Sequence, residues 1–401
     1  MKTLLKYSIT AQLLSLIVAT TSVVAAEPQY HLGIKSHASD ATFAESAPSF
    51  TPFFRLTSHS EVVGSNLTAD PLFSKSSSEW NFSQGGISLN RGSATIKHGK
   101  FAINWGFSPK SSLFMSENAV PFMATHAELS FDSLNTRSFL NSGKFQFFSG
   151  TLTGNSLPAN TQITGIRYSV KPLPYLSLEG LRVTQWGGKG FLNGWSGFKH
   201  AMLGNSNEGD HRNVNHVAGY GVSITVPSRL GKTQLYSQHM GEDEASGLPS
   251  CYSFLAGASH QQGQDLIGIE IVDTRVDYST SGFCGPGTAY NNNTYKYISG
   301  NRTMGAPIDS EGRSIEIYGY HQLTNAYEVN YSLGTYIIND HGANNHRLSS
   351  SRVVGERLRL SVLKKWTYAD TTWDIRWQNF DLNSAKVSKG ITLRTTLKFK
   401  F

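Results

Sequence analysis

The chain has 401 residues, of which only 39% are hydrophobic, yet it carries 38 Gly, 17 Tyr and 22 Phe. A soluble protein of this length needs a richer apolar core, whereas a large membrane barrel has lipid outside, water inside and little core to fill. The net charge of +7 comes without a dense Lys/Arg cluster, so nucleic acid is not an expected partner.

In chain order, the first element is an export signal. A basic start (Lys2, Lys6), an apolar stretch from Leu13 to Val18 and the small residues Val24-Ala25-Ala26 read as a secretory signal peptide over 1–26, cut after Ala26. Residues 27–49 are expected to be a short periplasmic segment, with alternation only from Tyr30 to Lys35. The barrel is expected over 50–401. No later stretch approaches the roughly 18 apolar residues of a spanning helix.

Strands are expected near 53–60, 94–97, 102–107, 127–132 and 144–152. An inner turn follows at 171–174, where two prolines end the ladder. Downstream the pattern is cleaner. Outer loops are expected at 186–214, 240–250, 277–312, 339–352 and 381–389. They alternate with short inner turns at 227–230, 261–263, 322–325 and 365–370. Between them lie strands with one apolar face, such as Ile267, Ile269 and Ile271, or Trp373, Ile375 and Trp377.

The last strand is the most explicit. Ile391, Leu393, Thr395, Leu397, Phe399 and Phe401 point one way, and Thr392, Arg394, Thr396, Lys398 and Lys400 the other. An apolar face toward lipid, a polar face toward a wet lumen and a terminal aromatic predict a transmembrane antiparallel β-barrel of the outer membrane. Phe401 is then the residue offered to the barrel-assembly machinery. About 16 strands can be counted, and such barrels are even-numbered. Both ends are expected to be periplasmic, and the protein to be a monomer.

Cys251 and Cys284 both fall in segments expected to face outward. In an oxidising compartment an even pair predicts one disulfide. Glu242, Asp243 and Glu244 are adjacent carboxylates that do not converge on an extended chain. They are expected to pair with Arg275 rather than to hold Ca²⁺. Inward Arg357, Arg359, Arg376, Arg394, Lys398 and Lys400 make one wall basic, and internal salt bridging is expected there. No spacing predicts a cofactor or a zinc site.

The middle of the chain resembles a family. Gln185-Trp-Gly-Gly-Lys-Gly190, Met240-Gly-Glu-Asp-Glu244, Leu248-Pro-Ser250, Asp273-Thr-Arg275, Tyr295-Lys296 and Met304-Gly-Ala-Pro-Ile-Asp309 follow in order. Upstream lie Asn104-Trp-Gly106, Ser112-Leu113 and Ser116-Glu-Asn-Ala-Val-Pro121. As an ordered set they resemble the Wzi family of capsule-assembly proteins. The resemblance implies an 18-stranded outer-membrane barrel that acts as a lectin and holds capsular polysaccharide at the surface. The family's better-known members carry a helical bundle before the barrel, and residues 27–49 are too short for one.

Sugar recognition needs aromatic faces and planar polar groups. Trp186 and Trp195 lie in one outer loop with Asn193, His200, Asp210 and His211. Tyr290, Asn292, Tyr295 and Tyr297 lie in another. Trp186, Trp195, His211, Tyr290, Asn292, Tyr295 and Tyr297 are therefore the candidate polysaccharide-binding residues, with Trp195, Tyr290 and Tyr295 as stacking residues. No residues group as a catalytic trio, so an enzyme is not expected. The expected function is a surface lectin for capsular or other extracellular polysaccharide, set among outer-membrane lipid and lipopolysaccharide. The alternative is a porin for small anionic solutes.

Overall fold

The computed structural model describes residues 24–25, 29–35, 43, 51–62, 65–76, 79–132, 142–152, 154–203, 213–245, 248–276 and 284–400. Twenty strand segments form a single antiparallel sheet. Two pairs of segments lie end to end. Val24–Ala25 and Gln29–Lys35 both run along Thr51–Val62, and Ser65–Ala69 and Leu72–Ser76 both bridge Thr51–Val62 to Glu79–Arg91. The wall therefore has 18 staves.

The ring closes where Gln29–Lys35 pairs with Gly390–Lys400, His31 opposite Lys400 and Lys35 opposite Thr396. The sheet thus takes in residues ahead of 50. The segment expected to be periplasmic supplies the closing stave. Closure leaves no unpaired strand edge, which a lipid environment requires. Among the described residues no helix is long and apolar enough to cross a membrane.

Exposure confirms which face meets lipid. Ile391 and Leu393 are 70% and 63% exposed, while Arg394 between them and the lumen is 7% exposed. Ile267, Ile269, Ile315, Ile317, Leu333, Trp373 and Ile375 continue the apolar exterior. Inside, the basic wall is paired as expected at three points. Arg359 and Arg376 both reach Asp374, and Lys400 reaches Asp370. Arg357 lies 5.0 Å from the Phe43 ring centre.

Among the described residues one end carries short turns, at 92–93, 174–175, 229–230, 263–264, 325–326 and 366–368; the connection 133–141 at that end lies outside them. That is the periplasmic end. The turns sit one to three residues from their expected places. The strand Gln162–Leu173 runs through Pro172 by way of an irregular register after Val170. Gly231–Ala245 and Leu248–Gln262 pair almost to their tips, so the outer loop expected at 240–250 is strand.

The largest difference concerns residues 102–107. They form no strand. The whole stretch 101–122, between Ala94–Lys100 and Met123–Asp132, leaves the wall and buries Trp105, Leu113, Phe114, Met115 and Phe122. Its Lys110 pairs with Glu316 at 2.7 Å. Glu316 lies on Arg313–Thr324, nine staves from Ala94–Lys100 in a ring of 18. The segment therefore crosses the lumen to the opposite wall.

Candidate functional site

The crossing segment is fixed by inward polar side chains from several staves. Gln238 donates from Nε2 to the Trp105 carbonyl at 2.9 Å and accepts from the Leu113 amide at 2.8 Å. Ser111 donates to Glu270 at 2.5 Å, and Arg167 pairs with Glu179 at 2.6 Å beneath Gly106. Burying such groups is tolerable because each finds a partner.

A second segment, 284–312, folds down on the first. Tyr290 and Tyr297 donate their hydroxyls to the carbonyls of Leu113 (2.8 Å) and Phe114 (2.9 Å). Ser116 donates to the Gly305 carbonyl at 2.5 Å, and the Asn118 amide to that of Thr303 at 3.0 Å. A Cβ built on Gly305 would sit 2.2 Å from the Leu113 carbonyl oxygen, so glycine is required at this contact. The Cys251–Cys284 disulfide ties the start of the segment to the wall, as expected.

Residues 339–352 lock the assembly from above. Arg347 donates from Nε to Asp309 at 2.6 Å, and its NH2 also bonds Asp309. Burial pushes the Asp309 carboxyl up, but the Arg347 charge and hydrogen bonds outweigh this and hold it below the usual carboxylate range. Arg275 pairs with Asp273 and Asp340 and not with Glu242 as expected; the side chains of Asp243 and Glu244 lie outside the described residues. Glu242 instead accepts from the Tyr290 amide at 2.5 Å, because the inward-folded segment lies within its reach. Together these segments form a cap inside the outer mouth. Below it lies a polar cavity of about 290 Å³, lined by Lys110, Glu270, Glu316, Tyr336 and Arg359 among others.

The candidate sugar residues divide sharply. Tyr290, Tyr295 and Tyr297 are fully buried. Tyr295 donates to the carbonyls of Gly187 (3.1 Å) and Asn213 (3.0 Å). Tyr290 and Tyr297 stack on one another at 5.7 Å. Burial pushes all three phenols above their ordinary value. They hold the cap together and offer no free face to a ligand. Asn292 closes a turn by accepting from the amides of Thr294 and Tyr295. Trp186 is also buried, donating to Thr164 at 3.2 Å. Trp195 is 75% exposed. His211 lies outside the described residues.

What the cap shows to the exterior is amide-rich. Asn155, Asn160, Asn293 and Asn301 are exposed, as is Leu157, and Asn155 donates to Asn301 at 2.8 Å. Sequence reading missed the 154–160 tip, whose Asn and Pro content looks like ordinary turn chemistry. Among the described residues no three His, Cys, Asp or Glu side chains converge as a metal site.

A closed antiparallel wall with an apolar exterior, its mouth filled by its own chain, defines an outer-membrane β-barrel with an internal cap. The chain belongs to the family described as capsule assembly protein Wzi, whose family model matches residues 7–388. Its fold is similar to that of Wzi, an outer-membrane protein involved in group 1 capsule assembly in Escherichia coli and described as a carbohydrate-binding β-barrel. The TM-score is 0.72 at 16% identity, over 98% of this chain and 87% of that one. A weaker likeness, TM-score 0.53 at 9% identity, links it to OpdH of Pseudomonas aeruginosa over 95% of this chain and 97% of that one. Over 184 residues it is 28% identical to an uncharacterized 55.8 kDa protein in the cps region of Klebsiella pneumoniae. That match takes in 44% of this chain and only 36% of the relative.

Proposed function

We propose that this protein is a surface lectin that binds extracellular polysaccharide, capsular in kind, at the outer face of its cap. The observation that carries the reading is the segment inside the outer mouth that crosses the lumen to Glu316. A polymer arriving from outside meets the amides that this cap carries. Planar amides at Asn155, Asn160, Asn293 and Asn301 match the paired hydroxyls of sugar rings, and Leu157, 57% exposed, offers a small apolar face. Modest affinity at one such surface suffices for a polymer, because each chain presents many repeats. The role is retention, without catalysis. The family assignment and the carbohydrate-binding description of the Escherichia coli barrel support the same reading.

The test is binding of the purified full-length protein, immobilised in detergent, to polysaccharide from the same cells. The parent retains the polymer, and the triple variant Asn155→Ala/Asn293→Ala/Asn301→Ala, still shifting in gel mobility on boiling, retains much less. A parent that ignores the polymer yet conducts ions in a planar bilayer overturns the proposal in favour of a diffusion channel.

A further inference from the structure

The helix Gly194–Met202, which follows Trp186, does not belong to the cap. On the stave Leu176–Trp186, Glu179 and Gln185 point into the lumen, where they meet Arg167 and the Lys296 carbonyl. Side chains alternate along a strand, so Arg182, Thr184 and Trp186 point outward. The helix packs on them. Arg182 donates to the carbonyls of Ala201 and Met202 at 3.3 Å, placing a cation at the helix C-terminus. Trp186 packs edge-on against Phe198 at 6.0 Å. The helix therefore lies against the outside of the barrel.

Its height follows from the same strand. Gly180 pairs with Tyr168 and Tyr220, and Tyr220 stacks on His239 at 5.1 Å, all on the exterior. Outward aromatics of this kind mark the membrane interface. Residues 182–186 lie further out, by about 5 to 15 Å for a tilted strand. Counted from the inner turn at 174–175, they stand about 18 to 30 Å up the wall, at the outer edge of an apolar band about 25 Å tall. An outward Arg182 is costly in hydrocarbon and acceptable here.

The helix turns Gly197 and Ala201 to the wall, both buried. Trp195 and Lys199, one turn apart on the opposite side, face away from it and are exposed. Trp195 is 75% exposed and Leu203, just beyond the helix, 66%. No Asp or Glu occurs from 187 to 203. An indole and an ammonium side by side, on a helix without a carboxylate, suit an interface carrying anionic headgroups. The surface is continuous with the lipid-facing wall.

We propose that this helix binds the phosphorylated glycolipid of the outer leaflet, lipopolysaccharide. Trp195 lies on its sugar and acyl boundary, and Lys199 faces its phosphates. The anchored rim holds the loop 187–203 beside the cap. The assignment does not depend on the polysaccharide reading and removes Trp195 from that site.

The experiment uses full-length protein in phosphatidylcholine nanodiscs, titrated with fluorescent rough lipopolysaccharide and with its dephosphorylated form. The parent binds the phosphorylated form more tightly. Lys199→Gln weakens that form about fivefold, the worth of one surface lysine at an anionic membrane, and leaves the dephosphorylated form unchanged. Lys199→Arg retains the parent's preference, which separates loss of charge from misfolding. Trp195→Ala weakens both forms. Equal binding by parent and variants overturns the proposal. So does loss of soluble polysaccharide binding by Trp195→Ala with lipopolysaccharide binding intact, which would return the helix to the polymer site.

Discussion

Replacing Arg347 by Met should release the cap without unfolding the barrel. Asp309 is 2% exposed at its side chain and has Arg347 as its ion-pair partner. Removing the guanidinium leaves a buried carboxylate without its counter-charge, which typically costs about 3–5 kcal/mol. The strain falls on segment 284–312, which is held by side-chain hydrogen bonds, one disulfide and isolated main-chain bonds such as Ser116 N–H to the Met304 carbonyl and Lys296 N–H to that of Leu157, and not on the backbone ladder of the staves. Opening is then local. Limited proteolysis of the protein in detergent micelles reads it directly. The variant should be cut within 284–312 much faster than the parent, while the heat-induced mobility shift persists. Adding Asp309→Asn should restore most of the resistance, because the uncompensated charge is gone. The pH dependence has a definite sign. The carboxyl is held below its ordinary value in the folded protein. The pair's contribution is therefore full above about pH 4, the unfolded carboxylate value, and is lost as pH falls through the lower folded value. Equal cleavage of Arg347→Met and parent at pH 7, or a double variant as labile as the single one, would refute the reasoning.

Three further outcomes follow from the same geometry. The double variant Cys251→Ser/Cys284→Ser should lose about 4 kcal/mol of stability against denaturant, the chain-entropy value for a crosslink spanning 33 residues; mass spectrometry of the exported parent should find no free thiol. Gly305→Val should loosen the cap, since even its Cβ meets the Leu113 carbonyl at 2.2 Å, and proteolysis within 101–122 should rise; unchanged resistance would mean that the two segments are not in contact. In planar bilayers the parent should conduct poorly, and a variant lacking 104–118 should open a large pore; equal currents would show that this stretch does not block the lumen.

The wall was legible because period-two alternation is a local signal. Ile391 to Phe399 announces its lipid face without any knowledge of its partners. The closing stave was only half legible. Tyr30–Lys35 alternates, but its partner lies at the other end of the chain, and nothing local says that the two meet. The cap was illegible for a physical reason. Leu113-Phe114-Met115 is a short apolar run without periodicity, which reads equally as loop or strand. It is buried only because Gln238, Glu270 and Glu316 reach it from distant staves. Aromatic content misled for the same reason. Tyr290, Tyr295 and Tyr297 look sugar-facing in a loop, yet each hydroxyl finds a main-chain carbonyl inside the mouth. The helix on the outer wall was hidden by Gly194 and Gly197, which lower helix propensity.

The central claim is that this capped barrel keeps polysaccharide on the cell. The direct measurement is the partition of surface polysaccharide between cells and medium in a strain lacking the protein and in the same strain given back either the parent or the triple amide variant. Retention should fall in the deletion strain, return with the parent, and stay low with a variant that reaches the outer membrane at parental abundance. Full retention without the protein would contradict the account.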